Sequence, residues 1–172
     1  MAKIGLMLAA LFVVQDKMVD NPAYQSWKDC KPGSWAKIKM TIVAGDNKME
    51  TFVTQKLVEF TAEKAVIEAT TEAMGKAQTV KKDIPAQVKE GQVYDLPKGA
   101  TFEKTAEGDE ELEVAGKKVK CHFFEGKAVR DGETTTCKFH YSKDVIGGLV
   151  KATMKGGKWG DMTMEFVESK KE

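Results

Sequence analysis

The sequence predicts a mainly β protein, a curved antiparallel sheet or partial barrel of about nine strands with one or two short helices. The first indication is the stretch "WAKIKMTIV", residues 35–43, in which apolar and polar side chains alternate as in a strand with one buried face. The second is a series of turn signals containing Gly, Asn or Asp that recur roughly every ten residues. Because the connections between predicted strands are short, we expect neighbouring strands to pair as an antiparallel meander.

The composition fits a single globular domain. The chain has 172 residues, of which 42% are hydrophobic and 31% charged, and these proportions differ from those of an intrinsically disordered protein. Its 27 basic and 26 acidic side chains leave a net charge of +1, which gives no electrostatic reason to expect a nucleic acid as partner. We therefore assign residues 20–172 to one antiparallel β-rich domain.

Residues 1–19 form an apolar N-terminal segment that predicts an export signal. Lys3 precedes an uncharged apolar run over residues 4–14, which has the length of a secretory h-region, and a bacterial protein located in the periplasm or outside the cell is expected. As a helix the run would span only about 16 Å of a ~30 Å hydrocarbon core, so we expect no transmembrane anchor. A small-x-small cleavage site is absent after Phe12. The alternative is a retained apolar element packed in the fold or against a neighbouring subunit.

A short helix and then a succession of strands are predicted after this segment. Asp20 or Asn21 can cap a helix that has Pro22 at its first position and continues to Trp27. Further strands and hairpins are predicted over residues 49–60, 65–74, 75–80, 111–124, 134–142, 147–155 and 162–169.

Residues 84–109 interrupt the strand pattern. The motifs "IPAQ" and "LPKG" and three glycines punctuate this stretch, which predicts a long connection containing one short strand over residues 92–96. Its acidic end, residues 107–113, lacks the spacing of a calcium-binding loop and is expected to be a solvated edge.

The three cysteines, Cys30, Cys121 and Cys137, have no C-x-x-C spacing and do not indicate a redox motif or a zinc ribbon. Cys121 and Cys137 lie in strands predicted to be neighbours, and if the apolar faces of these strands coincide, the two sulfurs can form a disulfide. The alternative is that both fill the core as small buried side chains. Cys30 then remains as a free thiol or links two subunits.

No metal site, cofactor or catalytic centre is predicted. His122 and His140 adjoin Cys121 and Cys137 in sequence, but alternation points each histidine away from the neighbouring cysteine, so the four cannot surround one zinc ion. An exposed histidine pair on the outer face of the sheet is expected instead. The sequence lacks the G-x-S-x-G, H-E-x-x-H, Walker-type and G-x-G-x-x-G motifs, so we expect no enzymatic activity. A catalytic site assembled from distant strands would leave no such motif.

The apolar faces of the predicted strands form a candidate surface for a hydrophobic ligand. Methionine suits surfaces that accept varied apolar ligands, although it also fills irregular cores. The candidate ligand-binding residues are Ile38, Met40, Ile42, Phe52, Met154, Met164 and Phe166.

The stretches "NPAYQSWKDCKPGSW" and "SKDVIGGLVKATMK" resemble small exported β-rich proteins of bacteria. Together with the consecutive strands predicted within residues 34–80, the layout is similar to that of the lipoprotein-carrier (LolA/LolB-like) superfamily. The resemblance covers most of residues 34–168 as a pattern, and the long acidic connection departs from it. It implies a strongly curved sheet that cups an apolar cavity closed by helices, and binding of an acyl chain or another apolar group without chemistry. No functional residue of that family can be transferred to a position in this sequence.

Two expectations for function follow. The first is an exported, non-catalytic protein that binds a lipid or another hydrophobic ligand on an apolar concave face. The second is a self-assembling extracellular structural subunit, of a filament or a surface layer, in which residues 4–14 or Cys30 join the subunits into a homo-oligomer. An enzyme that uses His122 or His140 is a third alternative.

N-terminal sequencing of the mature protein tests the export signal. We expect a mature start near Gln15 or Asp20, because a signal peptidase would remove the apolar segment. A start at Met1 or Ala2, together with an oligomer that dissociates when residues 4–14 are deleted, would support the assembly alternative instead.

Overall fold

A computed structural model of the chain describes residues 17–73, 75–89, 99–157 and 160–172. These residues form a nine-stranded antiparallel sheet, a two-stranded sheet and one short helix, which confirms the predicted fold class. The elements are β1 (Met18–Asp20), α1 (Pro22–Gln25), β2 (Trp35–Ala44), β3 (Asn47–Phe60), β4 (Lys64–Ala73), β5 (Lys76–Pro85), β6 (Gln87–Lys89), β7 (Thr101–Val114), β8 (Lys117–Arg130), β9 (Glu133–Tyr141), β10 (Leu149–Lys155) and β11 (Asp161–Lys170).

The large sheet consists of two antiparallel meanders that meet at its centre. Its strand order is β5-β4-β3-β2-β11-β10-β9-β8-β7, so the chain runs outward from β2 to one edge and returns inward from β7 at the other edge. The meanders join where β2 pairs with β11, over nine ladder positions from Asp161–Val43 to Lys170–Trp35. The small sheet pairs β1 with β6.

The period-two pattern places apolar side chains on one face of the large sheet, which we call the inner face. A row of cross-strand neighbours runs across it from β2 to β8 through Met40, Met164, Ala152, Phe139 and Phe124. Phe139 and Ala152 are buried, because the side chains on this face pack against one another. As the alternation predicts, Ala36 and Ile38 lie on the inner face, and Lys37 and Lys39, which alternate with them, point to the other side.

Two tight turns set the register of the second meander. Ala115-Gly116 joins β7 to β8 and Asp131-Gly132 joins β8 to β9, and all four residues have positive φ. Both central residues of a type I′ turn need this conformation, and the turn matches the twist of the paired strands. These turns therefore fix which residues of β7, β8 and β9 face each other.

Residues 21–30, which we call the covering segment, pack on the inner face beside β2, β3 and β4. Asn21 caps α1, as predicted, because its Oδ1 accepts a hydrogen bond of 3.0 Å from the backbone N–H of Ala23. Tyr24 stacks on Phe60 at 4.6 Å and donates its hydroxyl proton to the carbonyl of Thr61 at 2.6 Å. Trp27 is fully buried in the same apolar cluster.

The predicted connection over residues 84–109 is mostly strand at its ends, which corrects that assignment. β5 extends to Pro85, β6 covers Gln87–Lys89, and β7 begins at Thr101. β7 is an outermost strand with polar side chains on both faces, so alternation does not reveal it, and pairing with β8 defines it. The short strand predicted over residues 92–96 lies outside the described residues.

The predicted N-terminal segment lies largely outside the described residues, and of residues 1–19 only 17–19 are described. Met18–Asp20 pairs with Gln87–Lys89 as the small sheet. Within the described part of the chain, no helix has the length and apolar character needed to span a bilayer.

Replacing Asn21 tests the attachment of the covering segment. Its side chain is buried, caps α1, and donates an Nδ2–H hydrogen bond of 2.8 Å to the carbonyl of Pro85. Asn21→Ala should lower the free energy of unfolding by about 2 kcal/mol, because the cap and a buried hydrogen bond are lost together. Asn21→Ser keeps a capping oxygen and loses only the bond to Pro85, so it should cost less. Urea unfolding checks this, and an alanine effect below about 0.5 kcal/mol would contradict it.

Candidate functional site

An open cleft borders the inner face between β8, the end of β9 and the start of the covering segment. It has a volume of about 790 Å³, and most of its surface is apolar. Its aromatic lining residues, Phe124 and Tyr141, have ring centroids 6.3 Å apart. The other lining residues are Asp20, Pro22 and Gln25 around α1, Asp109, Glu110 and Glu111 of β7, Lys120, Cys121 and His122 of β8, and Ser142, Lys143, Asp144 and Gly148 between β9 and β10.

Two glycines allow the β9–β10 loop to approach the covering segment closely. Gly147 and Gly148 have φ values of 83° and 75°, a conformation that favours glycine. A Cβ at Gly148 would lie 3.2 Å from the Ser26 Oγ, and a Cβ at Gly147 would lie 3.6 Å from the ring of Trp27. The loop and the covering segment therefore form one continuous wall beside the cleft.

Charged side chains of both signs line the cleft. The Nδ1 of His122 lies 2.8 Å from the Oδ1 of Asp109, and the ring of His122 meets the ring of Phe124 edge-on at 4.8 Å. His122 is exposed, and this polar partner is a carboxylate rather than a hydroxyl or thiol. The hydroxyl of Ser142 instead accepts a hydrogen bond from the backbone N–H of Asp144 at 3.3 Å. The described residues thus supply no hydroxyl nucleophile paired with this imidazole.

A partly buried polar cluster adjoins the cleft through Glu110. The carboxylate of Glu110 lies 3.2 Å from the Nζ of Lys138 and accepts a hydrogen bond from the Nε2–H of His140. The Lys138 ammonium also lies 4.3 Å from the centroid of the Phe123 ring. Because Glu110 is in β7 while His140 and Lys138 are in β9, the cluster links these strands across β8.

Glu110 and His140 of this cluster have shifted pKa values. Burial lowers the pKa of His140, and this outweighs the opposing effect of the Glu110 carboxylate. Burial raises the pKa of Glu110, but hydrogen bonds from Lys138 and His140 outweigh it, so the pKa of Glu110 is lowered. We therefore assign a neutral imidazole to His140 and an ionised carboxylate to Glu110, with Lys138 as the counter-charge.

The two histidines do not form the exposed pair that the sequence predicts, and that prediction is wrong. His122 faces Tyr141 across the β8–β9 ladder, whereas His140 faces Phe123, so the two imidazoles lie on opposite faces of the sheet. His140 is buried while His122 is exposed. Within the described residues, no group of three His, Cys, Asp or Glu side chains is arranged to hold a metal ion.

The predicted disulfide between Cys121 and Cys137 is also wrong. All three cysteines are free thiols. Cys137 faces Gly126 of β8, five residues beyond Cys121, which corresponds to about 17 Å along the strand. Both are buried, as the alternative expected, and burial raises the pKa of each thiol. A thiol with a raised pKa is a poor nucleophile, so Cys121 contributes packing rather than reactivity to the cleft.

Six of the seven predicted ligand-binding residues share the inner face, but none lines the cleft. Ile38 is buried in the core, and Ile42, Met40, Met154, Met164 and Phe166 are half-buried around it, with Met40 paired to Met164 and Ile38 to Phe166. Phe52 does not belong to this set. It pairs with Lys39 and lies on the other face, where the Lys37 ammonium approaches its ring at 4.8 Å.

Sequence reasoning did not identify Phe124, Tyr141 and Gln25 as lining residues of a cleft. The alternation in "CHFF" and "KFHY" places Phe124 and Tyr141 on the apolar side of neighbouring strands, and that signal was available. Gln25 reaches the cleft because the covering segment packs on the sheet, and no local pattern indicates this contact.

Comparisons with known proteins identify no family for this chain. No known protein family matches the sequence. No curated protein matches it either. Among solved structures, the chain is similar to a candidate exported protein with a YmcC-like fold from Bacteroides fragilis, at 9% sequence identity and a TM-score of 0.46 over 83% of this chain and 97% of the other.

The polar cluster predicts that stability falls on acidification. In the unfolded chain His140 takes up a proton below about pH 6.5, while in the folded protein it stays neutral to lower pH, so falling pH favours unfolding. Glu110 has a lowered pKa in the folded protein, so its protonation causes a second loss of stability below about pH 4.5. His140→Gln keeps an N–H donor for Glu110 and should reduce the loss of stability between about pH 7 and pH 5.

Urea unfolding across this pH range measures the effect. His122→Gln is the matched control, because it removes the exposed imidazole and leaves the polar cluster intact. An unchanged pH dependence in His140→Gln would contradict the assignment of a neutral, buried imidazole.

Proposed function

We propose that this protein is an exported, non-catalytic binding protein and that its cleft takes up a hydrophobic ligand, with an acyl chain as the first candidate. The cleft is the observation that carries the proposal. Its volume of about 790 Å³ falls in the range of small-molecule sites, and such sites are mostly apolar with a few polar groups. The proposal of export comes from the apolar run over residues 4–14 and its length.

The chemistry of the lining supports binding without reaction. Phe124 and Tyr141 offer broad apolar surface against which a hydrocarbon chain can pack. Cys121 is buried with a raised pKa, and His122 is paired with Asp109 rather than with a nucleophile. Carboxylates and lysines in the same lining can contact a polar head group. These features suit an amphipathic molecule whose tail enters the cleft.

This proposal differs from the sequence-based one in the location of the ligand. The sequence pointed to the row around Met40 and Met164, yet Ile38 and Ala152 of that region are buried by neighbouring side chains. A ligand there would have to displace packed side chains, whereas the cleft is already open. The lipoprotein-carrier resemblance is consistent with either location, because it implies an apolar ligand without naming residues.

Binding of a fluorescent fatty acid tests the proposal. The wild-type protein should bind the probe, and Gln25→Trp should weaken binding by about tenfold or more because an indole at this position fills the cleft. Lys28→Trp is the matched control: it adds the same side chain three residues away, at an exposed position outside the lining. It should bind the probe as the wild type does.

A third variant distinguishes the cleft from the row around Met40 and Met164. Met49→Trp alters the inner face beside that row, where the exposed Met49 faces Ile42, and it should leave binding unchanged. Loss of binding in Met49→Trp with full binding in Gln25→Trp would place the ligand on the row and reject the cleft. Absence of probe binding by the wild type, together with no co-purifying lipid in native mass spectrometry, would reject the function.

A further inference from the structure

The two outermost strands of the large sheet are long and unusually open. β5 and β7 end the strand order, and each pairs on only one side among the described residues. β5 has 10 residues and β7 has 14, so each offers an edge more than about 30 Å long. All residues of β5 from Lys76 to Asp83 are exposed. An edge of this kind can pair with a strand of another chain.

The two edges carry opposite charge. β7 contains six carboxylates, at positions 103, 107, 109, 110, 111 and 113, against the single Lys104, which gives a net charge of −5. β5 contains three lysines, at positions 76, 81 and 82, against the single Asp83, which gives a net charge of +2. The chain as a whole is nearly neutral at +1, so this separation of charge is a local feature of the edges.

Charged edge strands commonly prevent edge-to-edge association, but the signs in this protein block only some pairings. Two β7 edges would bring carboxylates together at the strand spacing of about 4.8 Å, and two β5 edges would bring lysines together. The pairing of β5 with β7 of a second molecule instead joins opposite charges. Protection against all association would be achieved by the same sign on both edges.

We propose that the β5 edge of one molecule pairs with the β7 edge of a second copy of this chain. The contact is heterologous, so each molecule retains one free edge of each kind and assembly continues into a ring or an open filament. Nine antiparallel strands place β5 and β7 in the same direction, so a copy added with the same face upward forms a parallel pair. The interface uses the two edges and does not require residues 4–14 or Cys30.

Charge reversal on each edge tests the pairing by sedimentation velocity of the full chain at low salt. The wild type should form species larger than the monomer, and about 1 M NaCl should dissociate them, because the Debye length falls to about 3 Å. Lys76→Glu with Lys81→Glu changes β5 from +2 to −2, and Glu103→Lys, Glu107→Lys and Glu113→Lys together change β7 from −5 to +1. Each variant alone should remain monomeric.

Mixing the two variants gives the decisive measurement. In the mixture, each contact between a β5 variant and a β7 variant again joins edges of opposite charge. Equimolar mixing should therefore restore the large species. Lys28→Glu with Lys31→Glu is the control for the β5 variant: it makes the same change in net charge at exposed positions away from both edges, and it should assemble as the wild type does. Circular dichroism checks that each variant is folded. The dissociation of the wild type by salt tests the proposal even if a variant fails to fold.

Three results would overturn the proposal. One is a wild type that stays monomeric at every concentration and salt tested. Another is a pair of edge variants that assemble as the wild type does or stay monomeric when mixed. The third is loss of assembly on deletion of residues 1–16 with no effect of the edge variants, which would assign the contact to the N-terminal segment. None of these results bears on fatty-acid binding in the cleft.

Discussion

The pairing of β2 with β11 at the centre of the large sheet is the interaction on which the rest of the structure depends. Every other neighbouring pair in this sheet joins strands that follow one another in sequence, whereas this ladder joins Trp35 to Lys170. It sets Met40 beside Met164 and so makes the inner face continuous from β2 to β8. Because the contact closes a very long loop of chain, we expect it to form late in folding.

The same junction anchors the stretch that connects the covering segment to β2. Ser34, which directly precedes β2, is fully buried, and its carbonyl accepts a hydrogen bond of 2.8 Å from the backbone N–H of Leu57. Its hydroxyl accepts a hydrogen bond of 3.0 Å from the backbone N–H of Glu172, which follows β11. The point where the covering segment leaves the inner face is thus tied to both meanders. The covering segment, the β9–β10 loop, Phe124 and Tyr141 together line the cleft.

The sequence pattern identifies strands that have one buried face, but it does not show which residues of two strands face each other. β2 is clear because Ala36 and Ile38 alternate with lysines. The first part of β7, residues 101–109, reads as a connection because polar residues occupy both of its faces, and only its end lies in the hairpin predicted over residues 111–124. The predicted disulfide is wrong for a different reason, which is the register of β8 and β9. The Asp131-Gly132 turn sets Arg130 opposite Glu133, and the same register places Gly126 opposite Cys137. A register count from that dipeptide would have excluded the bridge. By contrast, the contact of α1 with the inner face is long-range, and no local pattern encodes it.

The cleft and the β7 edge share residues, yet they use different directions of the same strand. Side chains of a strand point above and below the sheet, while its backbone N–H and C=O groups lie in the plane. Asp109 and Glu111, which line the cleft, face the side of β8 that carries His122 and Lys120. The groups that would bond to a second β strand project outward in the plane instead. Addition of a strand to β7 would therefore leave the side chains that line the cleft in place, and the proposed assembly is compatible with the proposed binding of a ligand in each molecule.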